Sequence, residues 1–377
     1  MEKISIPIEV FEAGDYKGAT MTQESGMDGP QGARSQGAKI LPLRRGAPKG
    51  VAAGSPRTRI QPPAHAWALV ADEMVRSEHE LIALLGSRVE QVAEIGRYLA
   101  RSGGKRIRPL LTVLGARACG VGGDLSRLMS VGEMIHLASL LHDDVVDSAP
   151  TRRGEPAAHM VHGNALVILS GDYCLARAVL LAAEEGGHEC VRHLAQAVAA
   201  MSEGEVLQLQ RAGRLDTSLE DYLQIIEAKS AALISWCAAA GAHILEDEHL
   251  ASRMEAFGRS VGVAFQVTDD VLDYGGELAQ TGKEPGADLM DRKLTLPLLY
   301  AFEATPGLQT RLEERPPTRE ELPELLEIVH DSGALERSLA YARDLVDVGI
   351  DQLSPLPDTP YKQALIDLAT YLAERAS

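Results

Sequence analysis

The sequence has few aromatic residues and no long uncharged apolar stretch. Aromatic side chains make up 4% of the 377 residues, and alternating valine and isoleucine are rare, which disfavours a fold built on β-sheet. The longest uncharged apolar run, residues 230–245, is shorter than the ~20 residues that a membrane span needs. We therefore expect helices, with this run buried in a protein core, and no transmembrane segment.

Basic residues are also fewer than acidic residues, which limits the partners that the protein can bind. Lysine and arginine number 37 against 54 acidic residues, and the formal net charge of -17 argues against a nucleic-acid partner. No apolar signal region opens the chain. The cysteines lack any metal-ligand spacing, which favours reduced thiols and a cytoplasmic location. They are Cys119, Cys174, Cys190 and Cys237.

Composition changes near residue 62. Residues 1–62 are rich in Gly, Pro, Ser and Gln without a helical period, which predicts a disordered N-terminal tail. From residue 63 to residue 377, apolar residues recur at helical spacing. This pattern predicts one all-α domain, a bundle of long helices around a central cavity. Capping-box patterns predict helix starts at Thr217 with Glu220 and at Thr318 with Glu321.

An acidic cluster lies inside the apolar run Leu140–Asp147. A helix would place Asp143 and Asp147 on one face, about one turn apart. Carboxylates in apolar surroundings repel each other and lose hydration unless a cation lies between them. Mg²⁺ prefers such oxygen ligands. Taken alone, however, an acidic helix face is more often a solvated surface than a metal site.

The same spacing recurs at Asp269, Asp270 and Asp273, again within an apolar helical segment. Two such clusters on separate helices of a bundle can face each other across the core. Two solvated faces would also fit the pattern, but chance does not readily supply the same motif twice in apolar surroundings. We therefore expect a carboxylate site for several metal ions.

Basic residues follow both clusters and also precede the first. Lys105 and Arg108 come after a glycine pair at a predicted helix start, where free N–H groups favour an anion. A basic helix start with no ligand explains that motif, taken alone, equally well. The other candidates are Arg152, Arg153, Lys283 and Lys293. The sequence thus predicts one diphosphate bound through metal and a second bound by Lys and Arg alone.

Eight motifs together resemble the trans-prenyl diphosphate synthases in order and spacing, over about residues 65–377. The greatest similarity is to the bacterial long-chain enzymes of the octaprenyl type. The motifs are GGKRIRP, LLHDDVVDSAPTRRG, GNALVILSGDY, GEVLQLQ, EAKSAALI, FQVTDDVLDYGG, GK and KLTLPLL. The resemblance implies an isoprenoid synthase fold, Mg²⁺ dependence, a homodimer, and head-to-tail condensation of isopentenyl diphosphate onto an allylic diphosphate such as farnesyl diphosphate.

The resemblance also implies roles for individual residues. Asp143 and Asp147 would hold two Mg²⁺ ions on the allylic diphosphate, and Asp269 with Asp273 would hold a third. Arg152 would contact the allylic diphosphate. The implied ligands of isopentenyl diphosphate are Lys105, Arg108, His136 and Arg153. At the reacting centre the implied residues are Lys229, Ser230 and Gln266, with Lys283 and Lys293 closing on the leaving group.

Two positions depart from the family pattern. Ser230 stands where the family usually has Thr, which keeps the hydroxyl group, and Arg292 stands where Gly is frequent.

Ala138 and Ser139 precede the first cluster and are small, which predicts a long product of about C35 to C50 and a shorter one in Ala138→Phe. Their size is also explained by close helix packing.

Alternative functions remain at this point. A shorter-chain synthase would share all of the motifs, and a terpene cyclase would share ionisation at an acidic cluster. A non-catalytic subunit of a heteromeric synthase would typically lack one cluster. Product release from a synthase would bring peripheral contact with a membrane.

Overall fold

The structure is a computed structural model that describes residues 63–101, 104–152, 155–275 and 285–375. Its first helices are α1 (Ala64–Leu69), α2 (Ala71–Leu84), α3 (Glu90–Arg101), α4 (Ile107–Ala118), α5 (Ser126–Val146), α6 (Ala158–His162), α7 (Asn164–Arg211) and α8 (Leu219–Ile226). A π-helix, Glu227–Ala231, joins α8 to α9 (Ala232–Ile244). The remaining helices are α10 (Glu248–Gly275), α11 (Ala287–Met290), α12 (Leu296–Ala304), α13 (Leu308–Glu314), α14 (Leu322–Asp331), α15 (Ala334–Gln352) and α16 (Pro360–Glu374).

The all-α prediction is confirmed in the described part of the chain. Two strands of two residues each, β1 (Thr151–Arg152) and β2 (Glu155–Pro156), pair antiparallel between α5 and α6. The predicted tail, residues 1–62, lies outside the described residues. The predicted domain boundary at residue 63 therefore stays a prediction.

The core lies where α5, α9 and α10 pack against α7, α4 and α15. Every residue of α9 from Leu233 to His243 is buried, so the apolar run singled out in the sequence is a core helix. The indole Nε1 of Trp236 donates to the Cys190 carbonyl of α7, 3.0 Å away, which satisfies the polar atom of the largest buried side chain.

Two stretches have the length and composition of a membrane-crossing helix, a test that core helices of soluble proteins also pass. The first, Leu219–Ile244, has 72% of its most apolar window buried. The second is α7, with only 39% of its window buried. Helix α7 also bends at Gly187, whose φ of 74° and ψ of -166° are accessible to glycine.

The predicted helix starts were misplaced by a few residues. Helix α8 is capped by Ser218 with Asp221, in a reciprocal capping box one residue after the predicted pair. At the second start, the Glu321 carboxylate accepts from the Thr318 backbone N–H at 3.0 Å, but α14 begins only at Leu322. Neighbouring Ser, Thr, Asp and Glu residues compete for the capping position, and packing decides between them.

Candidate active site

The first acidic cluster lies in the last turn of α5. Asp147 ends the helix, and its backbone N–H donates to the Asp143 carbonyl at 2.8 Å. Burial raises the pKa of Asp143 to about 6, the charge of Lys229 opposes this rise, and Glu205 and Asp147 add to it. Asp143 thus lies among two other carboxylates and one lysine. Glu205 lies on α7 and forms an ion pair with Lys229.

The middle carboxylate of the first cluster faces away from water. Asp144 is fully buried, and Arg152 of β1 donates from Nε to its Oδ1 at 2.5 Å. The other carboxylate oxygen, Oδ2, is buried without a hydrogen bond. Arg152 therefore lies at the first cluster, as predicted, and reaches it through Asp144. Arg153 lies outside the described residues.

The second cluster, on α10, is closed by Arg375, the residue after α16. Asp269 is exposed, and Arg375 donates from Nη2 to its Oδ1 at 2.5 Å. Arg375 also donates to the Phe265 carbonyl at 3.1 Å and lies 4.1 Å from the centre of the Phe265 ring. Sequence reasoning missed Arg375, because nothing local relates a residue after α16 to a cluster 106 positions earlier.

Asp270 is the buried hub of the second cluster. Tyr222 donates its hydroxyl to Asp270 Oδ2 at 2.7 Å, and Gln266 donates from Nε2 to Oδ1 at 3.0 Å. Burial raises the pKa of Asp270 to about 6, while the charge of Lys293 acts to lower it. Lys293 Nζ lies 3.9 Å from the Asp270 carboxylate. The carboxylate is thus held by neutral donors and one distant cation.

Lys293 also binds a carboxylate that the sequence analysis did not identify. Its Nζ donates to Asp288 Oδ1 at 3.2 Å, and the Asp288 backbone N–H donates to Asp273 Oδ2 at 2.9 Å. Desolvation lowers the pKa of Lys293, but Asp270 and Asp288 outweigh it and raise the pKa above its ordinary value. The lysine therefore stays charged beside the cluster. Lys283, its predicted companion, lies outside the described residues.

The π-helix connects the two clusters. It contains Lys229, which pairs with Glu205 near Asp143, and Ser230, whose hydroxyl donates to Gln266 Oε1 at 2.8 Å. Gly204 permits α7 to approach this segment, because a Cβ there would lie 2.6 Å from the Lys229 backbone nitrogen. Such π-helical insertions occur frequently at functional sites. The predicted group Lys229, Ser230 and Gln266 is therefore assembled in one place.

Only two of the three basic residues in the Lys105–Arg108 segment remain available to a ligand. Arg106 has a positive φ of 45° and donates to Glu78 from Nε and Nη2, each at 2.8 Å, and to Glu133 at 2.7 Å. This bidentate ion pair makes Arg106 a structural residue. Lys105 and Arg108 lie on either side of Arg106 in the sequence and do not share its ion pairs with Glu78 and Glu133.

The charge of Asp269, in the second cluster, acts on the pKa of both Lys105 and Arg108. Desolvation and then the charge of Arg375 lower the pKa of Lys105, while Asp269 acts to raise it. Burial lowers the pKa of Arg108 against the opposing charges of Glu133 and Asp269, and its Nε is buried without a hydrogen bond. A partly unsatisfied guanidinium next to a lysine is suited to bind an anion. Asp269 thus acts electrostatically on both Lys105 and Arg108, and their role as ligands of a diphosphate stays a prediction.

The face of α5 beneath Asp143 is built from small and half-buried residues. His136 lies two turns before Asp143, and the Ser139 hydroxyl donates to its carbonyl at 2.9 Å. Ala138 is 3% exposed, whereas Ser139 is only half-buried and lies four residues before Asp143 on the same face. Ser139 is therefore the position directly below the cluster.

The donor set fits a hard divalent cation. Asp143, Asp147 and Glu205 supply carboxylate oxygens, and the Asp144 Oδ2 has no hydrogen bond. Mg²⁺ and Ca²⁺ bind such oxygen ligands and would stabilise the charged form of Asp143 against the burial and the carboxylate repulsion that raise its pKa. The residues at the first cluster thus fit the metal that the sequence predicts. At the second cluster, Asp269 also fits as a metal ligand once Arg375 has been displaced from its carboxylate.

Sequence reasoning missed Glu205, Tyr222, Asp288 and Arg375. Glu205 had an available signal, because a Gly-Glu pair interrupts an apolar helix in one of the motifs. The other three contact the second cluster across 48, 15 and 106 residues of sequence. Contacts of that range depend on how the helices pack.

The chain is similar to known proteins over most of its length. The family described as polyprenyl synthetase matches residues 89–329. The chain is 36% identical over 316 residues to the octaprenyl diphosphate synthase of Escherichia coli, which covers 81% of this chain and 97% of that one. It is 34% identical over 321 residues to heptaprenyl diphosphate synthase component 2 of Geobacillus stearothermophilus, which covers 82% and 98%.

A solved structure is similar to the whole described bundle. The polyprenyl synthase of Caulobacter crescentus, complexed with calcium and isoprenyl diphosphate, has a TM-score of 0.80 and 35% sequence identity. The match covers 85% of this chain and 100% of that chain. This likeness confirms the fold predicted from the sequence.

Proposed function

The chain belongs to the polyprenyl synthetase family, and we propose that it condenses isopentenyl diphosphate head-to-tail with an allylic diphosphate. The proposed product is a long all-trans polyprenyl diphosphate, and farnesyl diphosphate is the proposed primer. The observation that supports this most is the presence of two acidic clusters together with Lys105 and with Arg108, whose Nε is buried without a hydrogen bond. One diphosphate can bind through metal at Asp143, and a second can bind directly to Lys105 and Arg108.

We propose Mg²⁺ as the metal, with three ions per site. Asp143 and Asp147 would hold two, and Asp269 with Asp273 would hold one. Bound Mg²⁺ would stabilise the negative charge that develops on the leaving diphosphate. The chain itself adds Arg152 at the first cluster and the charged Lys293 at the second. Lys283 would join them from the segment before residue 285.

Lys229, Ser230 and Gln266 would lie at the reacting carbon atoms. Ser230 donates its proton to Gln266 Oε1, so the lone pairs of the Ser230 oxygen remain free to face an electron-poor carbon. Lys229, held by Glu205, places a fixed positive charge near the leaving group. The buried surroundings of Asp270 exclude water, which would otherwise quench an allylic cation.

The second substrate would lie between α4 and α5. Lys105 and Arg108 are the ligands of its diphosphate with the strongest structural support, because both lie near Asp269 and Arg108 has an unsatisfied Nε. His136 and Arg153 are proposed as further ligands. Arg375 would be freed for the same anion when metal displaces it from Asp269.

We further propose a homodimer formed through α7. Leu166, Leu169 and Leu180 lie on one face of this helix and are 42%, 60% and 47% exposed. Met160 on the preceding helix is 61% exposed. Such an apolar stripe needs a partner, and a second copy of α7 is self-complementary. A cytoplasmic dimer that contacts a membrane only on product release fits the apolar character of the product.

A turnover assay with the purified chain tests the proposed function. Farnesyl diphosphate, labelled isopentenyl diphosphate and Mg²⁺ should give a ladder of polyprenyl diphosphates that ends in a long product. Hydrocarbon products would instead indicate a terpene cyclase. Absence of turnover by the chain alone would favour a subunit of a heteromeric enzyme, the arrangement that the name of the Geobacillus relative suggests for that protein.

The length of the product can be tested at the face below Asp143. Ser139→Phe should shorten the product to about C15–C20, because a ring there closes the space that the growing chain needs. Ala138→Phe should act in the same direction, but Ala138 is almost fully buried, so overpacking will also reduce stability. An unchanged product ladder in both variants would contradict this account.

A further inference from the structure

Two histidines and a glutamate from three helices meet far from the acidic clusters. They are His193 on α7, His243 near the end of α9 and Glu255 near the start of α10. Along α7, along the π-helix with α9, and along α10, Glu205, Ser230 and Asp269 follow or precede them by 12 to 14 residues, which corresponds to about 18–21 Å. The group therefore lies at the opposite end of the bundle from the candidate active site.

The polar atoms of this group point at one another. His193 Nδ1 lies 2.6 Å from Glu255 Oε1, and His243 Nε2 lies 3.3 Å from the same oxygen. The two imidazole rings are stacked, with centroids 4.0 Å apart and planes 25° apart. One ligand atom from each residue lies within 4.8 Å of the other two. These separations are close to those between the ligands of a single bound metal ion.

A hydrogen bond between His193 and Glu255 explains only part of this arrangement. His243 is 2% exposed, and its Nε2 is buried without a well-aligned hydrogen bond. Buried polar atoms normally have a partner, so the unsatisfied nitrogen needs an explanation.

We propose that His193, His243 and Glu255 bind one divalent transition-metal ion of the Zn²⁺ type. Two imidazole nitrogens with one carboxylate oxygen are a known ligand set for Zn²⁺, whereas Mg²⁺ prefers oxygen ligands alone. The side chains of His193 and Glu255 are 21% and 25% exposed, so water can supply a fourth ligand. The ion would tie α7, α9 and α10 together at the end opposite to the active site.

Binding requires a small rearrangement. Each nitrogen lone pair lies in its own ring plane, and the two planes are stacked and only 25° apart, so one ring must tilt before both lone pairs can point at a single ion. His193 is the ring with room to move, since it is partly exposed while His243 is enclosed. The stack is therefore expected to open when metal binds.

The test uses the untagged full-length chain, stripped with EDTA and returned to a buffer with excess Mg²⁺. Mg²⁺ fills oxygen-ligand sites and leaves a nitrogen-containing site free. Zn²⁺ titrated by calorimetry should bind with one equivalent per chain. Co²⁺ in its place should give the strong visible absorption of a four-coordinate ion with nitrogen ligands.

Three variants decide the assignment. His193→Gln and Glu255→Gln should each weaken Zn²⁺ binding by more than about tenfold. His188→Gln is the matched control, because it removes an 81% exposed histidine from the same helix and should bind Zn²⁺ like the wild type. The proposal is overturned by absence of Zn²⁺ binding in excess Mg²⁺, by unchanged binding in both ligand variants, or by an equal loss in the control. Condensation activity with Mg²⁺ should persist in His193→Gln, so this test is independent of the proposed function.

Discussion

The two acidic clusters have the same spacing but different surroundings. In both, the second aspartate is buried, Asp144 fully and Asp270 with 2% exposed. The first cluster opens towards Glu205 and Lys229, while in the second Asp269 is paired with Arg375. The repeated motif therefore contains two kinds of residue. We propose that the outer aspartates hold ligands, whereas the second one anchors the cluster to the protein through Arg152 or Tyr222.

The difference also suggests an order of events. The first cluster is a set of mutually repelling carboxylates with one lysine, and cation binding there relieves repulsion directly. Metal binding at Asp269 must first displace a guanidinium. We therefore expect the first cluster to bind metal more readily, and the second to complete its site only when substrate is present.

The largest expected effect is at the first cluster. Asp143→Asn should lower kcat by about a thousandfold or more, whereas Asp269→Asn should lower it by about ten- to a hundredfold. The smaller loss follows because metal must displace Arg375 from Asp269, so Asp269 contributes less net free energy to metal binding than Asp143 does. Single-turnover condensation rates measure both, with the 75% exposed Asp331→Asn as the control. The reverse order would contradict the comparison.

Tyr222→Phe tests the anchoring role of Asp270. Removal of the hydroxyl leaves the buried Oδ2 of Asp270 without its donor, which should cost about 2 kcal/mol of unfolding free energy. Urea denaturation measures the loss. Tyr361→Phe, which removes a hydroxyl at the start of α16, should cost much less. Equal stability of the two variants would contradict the anchoring role of Asp270.

Arg375→Gln tests the closure of the second cluster. If the guanidinium competes with metal for Asp269, its removal should lower the Mg²⁺ concentration needed for half-maximal activity by about fivefold. A Mg²⁺ titration at saturating substrate measures this, with Arg343→Gln, an exposed arginine of α15, as the control. A higher Mg²⁺ requirement in Arg375→Gln would contradict the competition.

The smallest expected effect is at Arg292, in the segment between α11 and α12. Arg292 has a positive φ of 52°, a conformation that costs an L-residue more than it costs glycine. Arg292→Gly should therefore stabilise the protein by about 0.5 kcal/mol, measured as a higher thermal midpoint. The departure from glycine noted in the sequence thus has a physical consequence. A lower midpoint would mean that the Arg292 side chain contributes more than the backbone costs.

Local pattern was sufficient for much of this molecule. Apolar spacing predicted the helices and the buried run that became α9, and the spacing of the carboxylates predicted both clusters. The π-helix was not predictable, because it depends on the close approach of α7 at Gly204. Arg375, Asp288 and Tyr222 were missed for a related reason. Their contacts with the second cluster arise from tertiary packing, which no local period encodes.

The central claim is that one diphosphate binds through metal and the other binds to Lys and Arg alone. The most direct test is equilibrium binding of each ligand by itself to the wild-type chain, in EDTA and in Mg²⁺. The account predicts that farnesyl thiodiphosphate binds only with Mg²⁺, whereas isopentenyl diphosphate binds in EDTA as well as in Mg²⁺. Tight binding of the allylic analogue in EDTA, or loss of isopentenyl diphosphate binding there, would contradict it.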